Sequence, residues 1–106
     1  MRLGRRELRV FFLGKHSAVR GRNVLLRMKK NRENLNRFAF MVSGPKKSAA
    51  ARNLTRRRLY EIMRAEARAI PPGWDMIFST RLQQKKAVGF LELKADLKNV
   101  LHKADL

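Results

Sequence analysis

The sequence predicts an α+β fold, a small two-layer α/β sandwich with the element order α-β-β-β-α-β-α and one arginine-rich helix packed on a sheet face. The chain has 106 residues, of which 44% are hydrophobic, which suits one domain with a modest core. Three segments have the pattern of helices, and four shorter segments have that of strands. We therefore treat residues 1–106 as a single domain.

The first part of the chain predicts one helix and two strands. Arg2–Leu13 predicts a short helix, and Gly14 fits its end. Two adjacent phenylalanines cannot share one helical face, so we expect one in the core and the other at a second surface. Lys15–Arg22 predicts an irregular or edge strand, and Asn23–Lys30 predicts a regular one.

The strand faces are predicted from alternation. Within Asn23–Lys30, the residues Val24, Leu26 and Met28 share one face. Arg37–Ser43 is nearly all apolar, so we expect it to be buried on both faces. Because only a short polar segment joins these two strands, the sequence favours an antiparallel pair.

The arginine-rich helix is predicted over Ala49–Ala69, which contains good helix formers and neither glycine nor proline. Ser48 precedes it as a candidate N-cap. At about 100° per residue, one arc is apolar and holds Ala51, Thr55, Leu59, Ile62, Met63 and Ile70. The opposite arc is mainly basic and holds Asn53, Arg57, Tyr60, Arg64 and Arg68. Arg52 and Arg56 lie one turn apart on the flank between the two arcs.

The last part of the chain predicts a strand over Trp74–Thr80 and an amphipathic helix over Ala87–Ala104. On this helix, Glu92 and Asp96 alternate with Lys94 and Lys98. We therefore expect ordinary surface ion pairs there rather than a metal site.

The charge of the chain points to a polyanionic partner. There are 26 Lys and Arg residues against 8 Asp and Glu residues, a formal net charge of +18. Such self-repulsion is relieved when the chain binds a phosphate backbone, although a solvated basic face is the simpler alternative. A membrane surface would also attract this charge, but the sequence shows no apolar run of about 18 residues and no signal peptide.

Nothing in the sequence indicates a catalytic or metal site in the protein itself. Cysteine is absent, which is compatible with a reducing cytoplasm and removes thiolate chemistry. The acidic residues are scattered, His16 and His102 are far apart, and Ser43 and Ser48 have no evident triad. The composition therefore favours a nucleic-acid-binding module over a self-sufficient enzyme.

Residues 52–61, RNLTRRRLYE, resemble the arginine-helix signature of the bacterial ribonuclease P protein component. Residues 10–14, VFFLG, resemble the end of the first helix of that family, and Arg37–Ser43 resembles its apolar strand ending in serine. Residues 73–78, GWDMIF, followed by Thr80 and Arg81, resemble its aromatic-Asp strand. Departures occur at Leu54, Tyr60, Gly44, Pro45 and Glu7.

The resemblance implies a subunit that binds a large catalytic RNA, with which it removes the 5′ leader of precursor tRNA. It implies that the RNA performs the hydrolysis with Mg²⁺, and that the protein alone binds no cofactor. It also implies a left-handed crossover at the arginine-rich helix. We expect no membrane and no obligate protein partner. The alternatives are a small ribosomal or RNA-chaperone protein and, less favoured, a stand-alone nuclease.

The resemblance also assigns site residues. A leader cleft between the sheet and the first helix is expected to include Phe11, Val24, Leu26, Phe38, Arg52 and Arg56. For Val24, Leu26 and Phe38, a plain core position is the alternative. RNA contacts are expected from the loop before the arginine-rich helix and from the helix itself, at Lys46, Lys47, Arg52, Asn53, Arg56, Arg57, Arg58, Arg64 and Arg68.

Overall fold

The computed structural model describes residues 2–106 and confirms the predicted order of helices and strands. The elements are α1 (Arg5–Leu13), β1 (Ser17–Arg20), β2 (Val24–Lys30), β3 (Arg37–Ser43), α2 (Ala49–Glu66), β4 (Trp74–Arg81) and α3 (Phe90–Lys103). A short 3-10 turn, Ala67–Ala69, extends α2 towards the two prolines that follow.

The strands form one sheet in the order β1-β2-β4-β3. β2 pairs antiparallel with both β1 and β4, whereas β3 pairs parallel with β4. The predicted pairing of β2 with β3 is therefore wrong, because β4 lies between them. β4 takes this inner position as the most fully buried strand. A parallel neighbour requires a crossover connection, and α2 supplies it between β3 and β4.

β3 is an edge strand, which corrects the expectation that it is buried on both faces. Ala39 and Val42 are buried, but Met41 is 45% exposed. The chain before α1 covers part of the outer edge, where Leu3 N–H donates to Phe38 O at 2.8 Å. Because this segment pairs with the strand, α1 begins at Arg5 rather than at the predicted Arg2.

α2 and α3 pack on the same face of the sheet, the inner face, and form the main core there. The helices contribute Leu59, Ile62, Met63, Leu93, Leu97, Val100 and Leu101 to it. Thr55 is buried as well, and its hydroxyl donates to Ala51 O at 2.8 Å. The predicted apolar arc of the arginine-rich helix is thus confirmed.

α1 packs on the opposite face, the outer face, where it forms a second and smaller core. This cluster consists of Phe11, Leu3, Ala39 and Ile77. Phe12 is 44% exposed, so the two phenylalanines divide between core and surface as predicted. The small size of this cluster leaves much of the outer face uncovered.

Two helix starts show how side chains fix the connecting loops. α3 begins at Phe90 rather than at the predicted Ala87, because Arg58 Nη1 donates to Val88 O at 2.7 Å and holds the connection to α2. α2 begins as predicted, but Ser48 does not cap it with its side chain. The Ser48 hydroxyl donates instead to Pro45 O at 2.5 Å, which closes the basic loop on itself.

Candidate nucleic-acid interface

The strand register determines which side chains share the outer face of the sheet. Leu25 of β2 lies opposite Ser79 of β4, and Ser79 lies opposite Met41 of β3. On its other side, Leu25 lies opposite Arg20 of β1. Because side chains alternate along a strand, these residues form a row across the outer face, next to the row that α1 covers. The row is only partly covered, since Leu25 and Ser79 are half-buried and Arg20 and Met41 are exposed.

The uncovered region is a groove of about 1190 Å³. Its arginines come from α1, the β1–β2 hairpin, α2 and β4, and they are Arg5, Arg20, Arg22, Arg56 and Arg81. None of the lining residues is acidic, and Leu25 and Met41 add apolar surface. A concave surface lined by one sign of charge concentrates its field on a ligand of the opposite sign. The groove therefore suits a flexible polyanion.

Acidic residues elsewhere in the fold bind partners of their own. Arg37 donates to Asp75 through Nε at 2.8 Å and Nη2 at 2.9 Å, and this hydrogen bonding raises the pKa of Arg37 above its ordinary value. Glu66 lies 3.6 Å from Lys98 across the two inner-face helices. These pairs stabilise the fold and involve none of the five groove arginines.

The flank of α2 meets the groove at one of the two predicted arginines. Arg56 lines the groove, and its Nη1 donates to Asn53 Oδ1 at 2.8 Å. Arg52, one turn earlier, is half-buried and is not among the lining residues. Its Nε is buried without a hydrogen-bond partner within residues 2–106. Of the two flank arginines, only Arg56 therefore lines the groove.

The outer arc of α2 is exposed as predicted, and it carries Asn53, Arg57, Tyr60 and Arg64. Arg68 is exposed too, in the 3-10 turn that follows α2. Lys46 and Lys47 are exposed on the loop before it. Arg58 differs from these residues, because it is half-buried and its guanidinium binds Val88 O. Arg58 therefore stabilises the segment that leads into α3.

The predicted cleft positions on β2 are wrong. Val24 and Leu26 are 1% and 0% exposed in the main core, so they cannot line an open surface. Phe38 lies on the same inner side, half-buried, with its ring 6.4 Å from that of Phe78. The physical reason is the alternation of the strand, which turns Leu25 rather than its neighbours towards the groove.

The predicted cleft aromatic, Phe11, is 1% exposed and packs between α1 and the sheet. The accessible aromatic is its neighbour Phe12, whose ring lies 5.6 Å from the guanidinium carbon of Arg27. Arg27 Nη1 in turn donates to the hydroxyl of Ser79, which lines the groove, at 3.3 Å. Phe12 and Arg27 therefore extend the groove towards α1.

Sequence reasoning missed most of the lining residues. Arg20 and Arg81 are the last residues of β1 and β4, and Arg22 lies in the turn before β2. A single basic residue has no distinctive pattern at such positions. Alternation puts Leu25 on the face opposite Val24, but the sequence does not show which face is open. The available signal was the arginine content near these strand ends.

The structure shows two further features of the described residues. Within residues 2–106, no three His, Cys, Asp or Glu side chains form a group that could hold a metal ion. None of the helices in the same range is long and apolar enough to cross a membrane.

The chain is similar to proteins of one family. A family model described as Ribonuclease P matches residues 2–105. The Ribonuclease P protein component of Roseiflexus castenholzii is 33% identical over 81 residues, which are 76% of this chain and 66% of that protein. The corresponding protein of Roseiflexus sp. is 32% identical over 81 residues, with the same coverage. The chain thus matches slightly less than two thirds of the length of these relatives.

Solved structures show the same fold. The RNase P protein from Thermotoga maritima matches with a TM-score of 0.78 and 25% identity, over 97% of this chain and 96% of that one. The Staphylococcus aureus RNase P protein matches with a TM-score of 0.77 and 22% identity, over 96% of this chain and 92% of that one. Since the family model covers nearly all of the sequence, the chain belongs to the ribonuclease P protein family.

Proposed function

We propose that this chain is the protein subunit of a cytoplasmic ribonuclease P, which binds the catalytic RNA and the 5′ leader of precursor tRNA. Family membership supports the association with the RNA subunit. The groove supports the leader contact, because its five arginines are accompanied by no carboxylate on an open sheet face. That single observation carries the proposal, since single-stranded RNA is bound by positively charged grooves that follow its backbone.

The groove and the exposed arc of α2 suit different parts of the RNA. In the groove, Leu25 and Met41 provide an apolar floor for bases, while the surrounding arginines meet phosphates. The exposed arc of α2 is convex and carries arginines at helical spacing, so it suits the backbone of a folded RNA. Arg56 and Asn53 join the two surfaces through their hydrogen bond.

We assign hydrolysis to the catalytic RNA, with Mg²⁺ bound by the ribonucleoprotein rather than by this chain alone. The scattered acidic residues of the sequence support this assignment. The protein contributes positive charge, which reduces the repulsion between catalytic RNA and precursor tRNA. Its benefit should therefore be greatest when Mg²⁺ is scarce.

The experiment that tests this function is cleavage of a precursor tRNA at low Mg²⁺, with catalytic RNA alone, with this chain alone and with both together. Release of the leader at the mature 5′ end only by the mixture is the expected result. Cleavage by the chain alone would indicate a stand-alone nuclease. A chain that binds RNA but adds nothing to cleavage would indicate a ribosomal or chaperone protein instead.

A further inference from the structure

Asp96 of α3 holds the turn between β1 and β2 through its side chain. Oδ1 accepts a hydrogen bond from Arg22 N–H at 2.7 Å, and Oδ2 accepts from Asn23 N–H and Val24 N–H, each at 2.7 Å. Asp96 is only 6% exposed, so the expected surface ion pair is wrong at this position. The carboxylate instead binds three consecutive backbone amides of the hairpin.

Gly21 makes this approach possible. A Cβ at position 21 would overlap with Asp96 Oδ1 and would lie 2.7 Å from Val100 Cγ1. Both atoms belong to α3, so any larger residue would push the hairpin away from that helix. Gly21 and Asp96 are therefore complementary parts of one contact.

The other hydrogen bonds between this hairpin and α3 are longer and exposed, because Asn23 Nδ2 donates to Glu92 Oε1 at 3.1 Å and Lys103 Nζ donates to Arg20 O at 3.3 Å. β1 has four residues, three of them exposed, and it forms the edge of the sheet. A second tether comes from β4, where the Thr80 hydroxyl donates to Asn23 O at 2.5 Å. Short edge strands with little burial open readily. Yet this hairpin carries Arg20 and Arg22, two of the five groove arginines.

We propose that Asp96 is a positioning residue for RNA binding, because it fixes the backbone from which Arg20 and Arg22 reach the groove. The inference rests on the proposed function, since it takes the groove to hold the phosphates of a single RNA strand. Asp96 accepts hydrogen bonds from the hairpin backbone and does not itself contact RNA. Ordering the hairpin in advance removes part of the entropy cost of binding.

A double-mutant cycle tests this role by combining Asp96→Asn with the double variant Arg20→Ala/Arg22→Ala. Asparagine keeps the shape of the side chain but places an amide group where one N–H donor needs an acceptor. Affinity for precursor tRNA and for mature tRNA is measured by fluorescence anisotropy over a range of salt. The temperature is one at which circular dichroism shows every variant to be folded.

Glu66→Gln is the matched control. It changes the net charge by the same amount as Asp96→Asn and weakens the pair with Lys98 between α2 and α3, but it leaves the hairpin alone. Any effect of charge or of looser helix packing appears in this variant. We expect its leader affinity and salt dependence to equal those of the parent chain.

In the parent background, Asp96→Asn should weaken binding of leader-bearing tRNA by about tenfold, with a smaller effect on mature tRNA. The slope of log affinity against log salt should fall by about 0.7 for each RNA phosphate that the variant no longer binds. In the Arg20→Ala/Arg22→Ala background, the same substitution should change the affinity by less than about twofold. If Asp96→Asn weakened binding only by damaging the fold, the loss of affinity would be the same with and without these two arginines.

Two results would overturn the positioning role: an equal loss of affinity in both backgrounds, or no loss in the parent background. If Arg20→Ala/Arg22→Ala alone leaves leader affinity unchanged, the groove assignment fails, and the inference fails with it. If Asp96→Asn does not fold, Gly21→Ala takes its place in the cycle, because it displaces the same hairpin while keeping the carboxylate. The same outcomes then decide.

Discussion

The two faces of the sheet differ in how completely helices cover them. On the inner face, Leu26, Met76 and Phe78 are 0% exposed beneath α2 and α3. On the outer face, α1 buries Ala39 and Ile77 but leaves Met41 45% exposed in the basic groove. The same strands therefore provide the core with one set of side chains and the groove with the other.

The number and the length of the helices explain this difference, since two helices cover the inner face and one covers the outer face. α2 has 18 residues and α1 has 9, which correspond to about 27 Å and about 14 Å of helix. Four strands in a sheet span roughly 14 Å between the outer ones, and strands of seven or eight residues are longer than that. One short helix on the outer face leaves part of it free to bind a ligand.

The largest expected effect is the loss of stability when a side chain of the inner-face core is shortened. Leu26→Ala should lower the free energy of unfolding by about 2–5 kcal/mol, because it creates a cavity in the main core. Urea unfolding followed by circular dichroism measures this loss. At low temperature, where the variant is folded, its affinity for leader-bearing tRNA should stay close to that of the parent.

Its control is the adjacent residue on the outer face. Leu25→Ala removes the same atoms, yet it should cost less than about 1 kcal/mol, because Leu25 is only half-buried. It should weaken leader binding instead. If Leu25→Ala destabilised the fold as much as Leu26→Ala, the two faces would not divide core from groove.

A second prediction concerns the ion pair between Arg37 and Asp75, whose side chains are 21% and 10% exposed. Arg37→Ala should cost about 1–3 kcal/mol, because Asp75 keeps only its hydrogen bond from Asn31, at 2.8 Å. The pKa of Arg37 is raised above its ordinary value, which is already high, chiefly by the hydrogen bonds to Asp75. The stabilisation that depends on this raised pKa is fully present when the pH is below the ordinary pKa of arginine. It is lost only as the pH rises through the raised pKa of the folded chain.

The difference in unfolding free energy between the parent chain and Arg37→Ala should therefore be constant from about pH 6 to about pH 10 as far as Arg37 is concerned. Arg64→Ala is the control, since its pair with Glu61 is long, at 3.9 Å, and exposed. It should leave stability unchanged. If the difference in unfolding free energy between the parent chain and Arg37→Ala fell across the alkaline half of this range, it would contradict a raised pKa for Arg37.

The helices were predictable because their apolar residues follow the helical period. The period alone puts Leu59, Ile62 and Met63 on one arc of α2, and all three are buried. Strand pairing was not predictable in the same way. β2 and β4 are distant in sequence, and the turn after β2 contains nothing that excludes a hairpin with β3.

The site was harder to predict than the fold. Leu25 and Leu26 are chemically identical neighbours, so only the position of the helices decides which one faces the groove. Asp96 has the pattern of a surface residue because Lys94 and Lys98 flank it, whereas its partners are backbone amides about 70 residues earlier in the chain. A contact made by backbone groups leaves no signal in the side-chain sequence.

A third prediction separates the groove from the outer arc of α2. The pair Arg56→Ala and Arg81→Ala should weaken binding of leader-bearing tRNA by about tenfold while affecting mature tRNA less. The pair Arg57→Ala and Arg64→Ala removes the same charge from the exposed arc. It should weaken binding to the catalytic RNA and leave leader discrimination intact. Equal losses on all three RNAs would show that only total charge matters.

The smallest expected effect tests whether the groove extends to α1. Phe12→Leu keeps an apolar side chain but removes the ring beside Arg27, so it should weaken leader binding by about two- to fivefold. Leu13→Ala, at a residue 82% exposed on the same helix, is the control and should have no effect. Stability should be unchanged in both, because neither side chain belongs to the buried cluster under α1. Unaltered leader affinity in Phe12→Leu would confine the RNA strand to the row from Arg20 to Met41, away from α1.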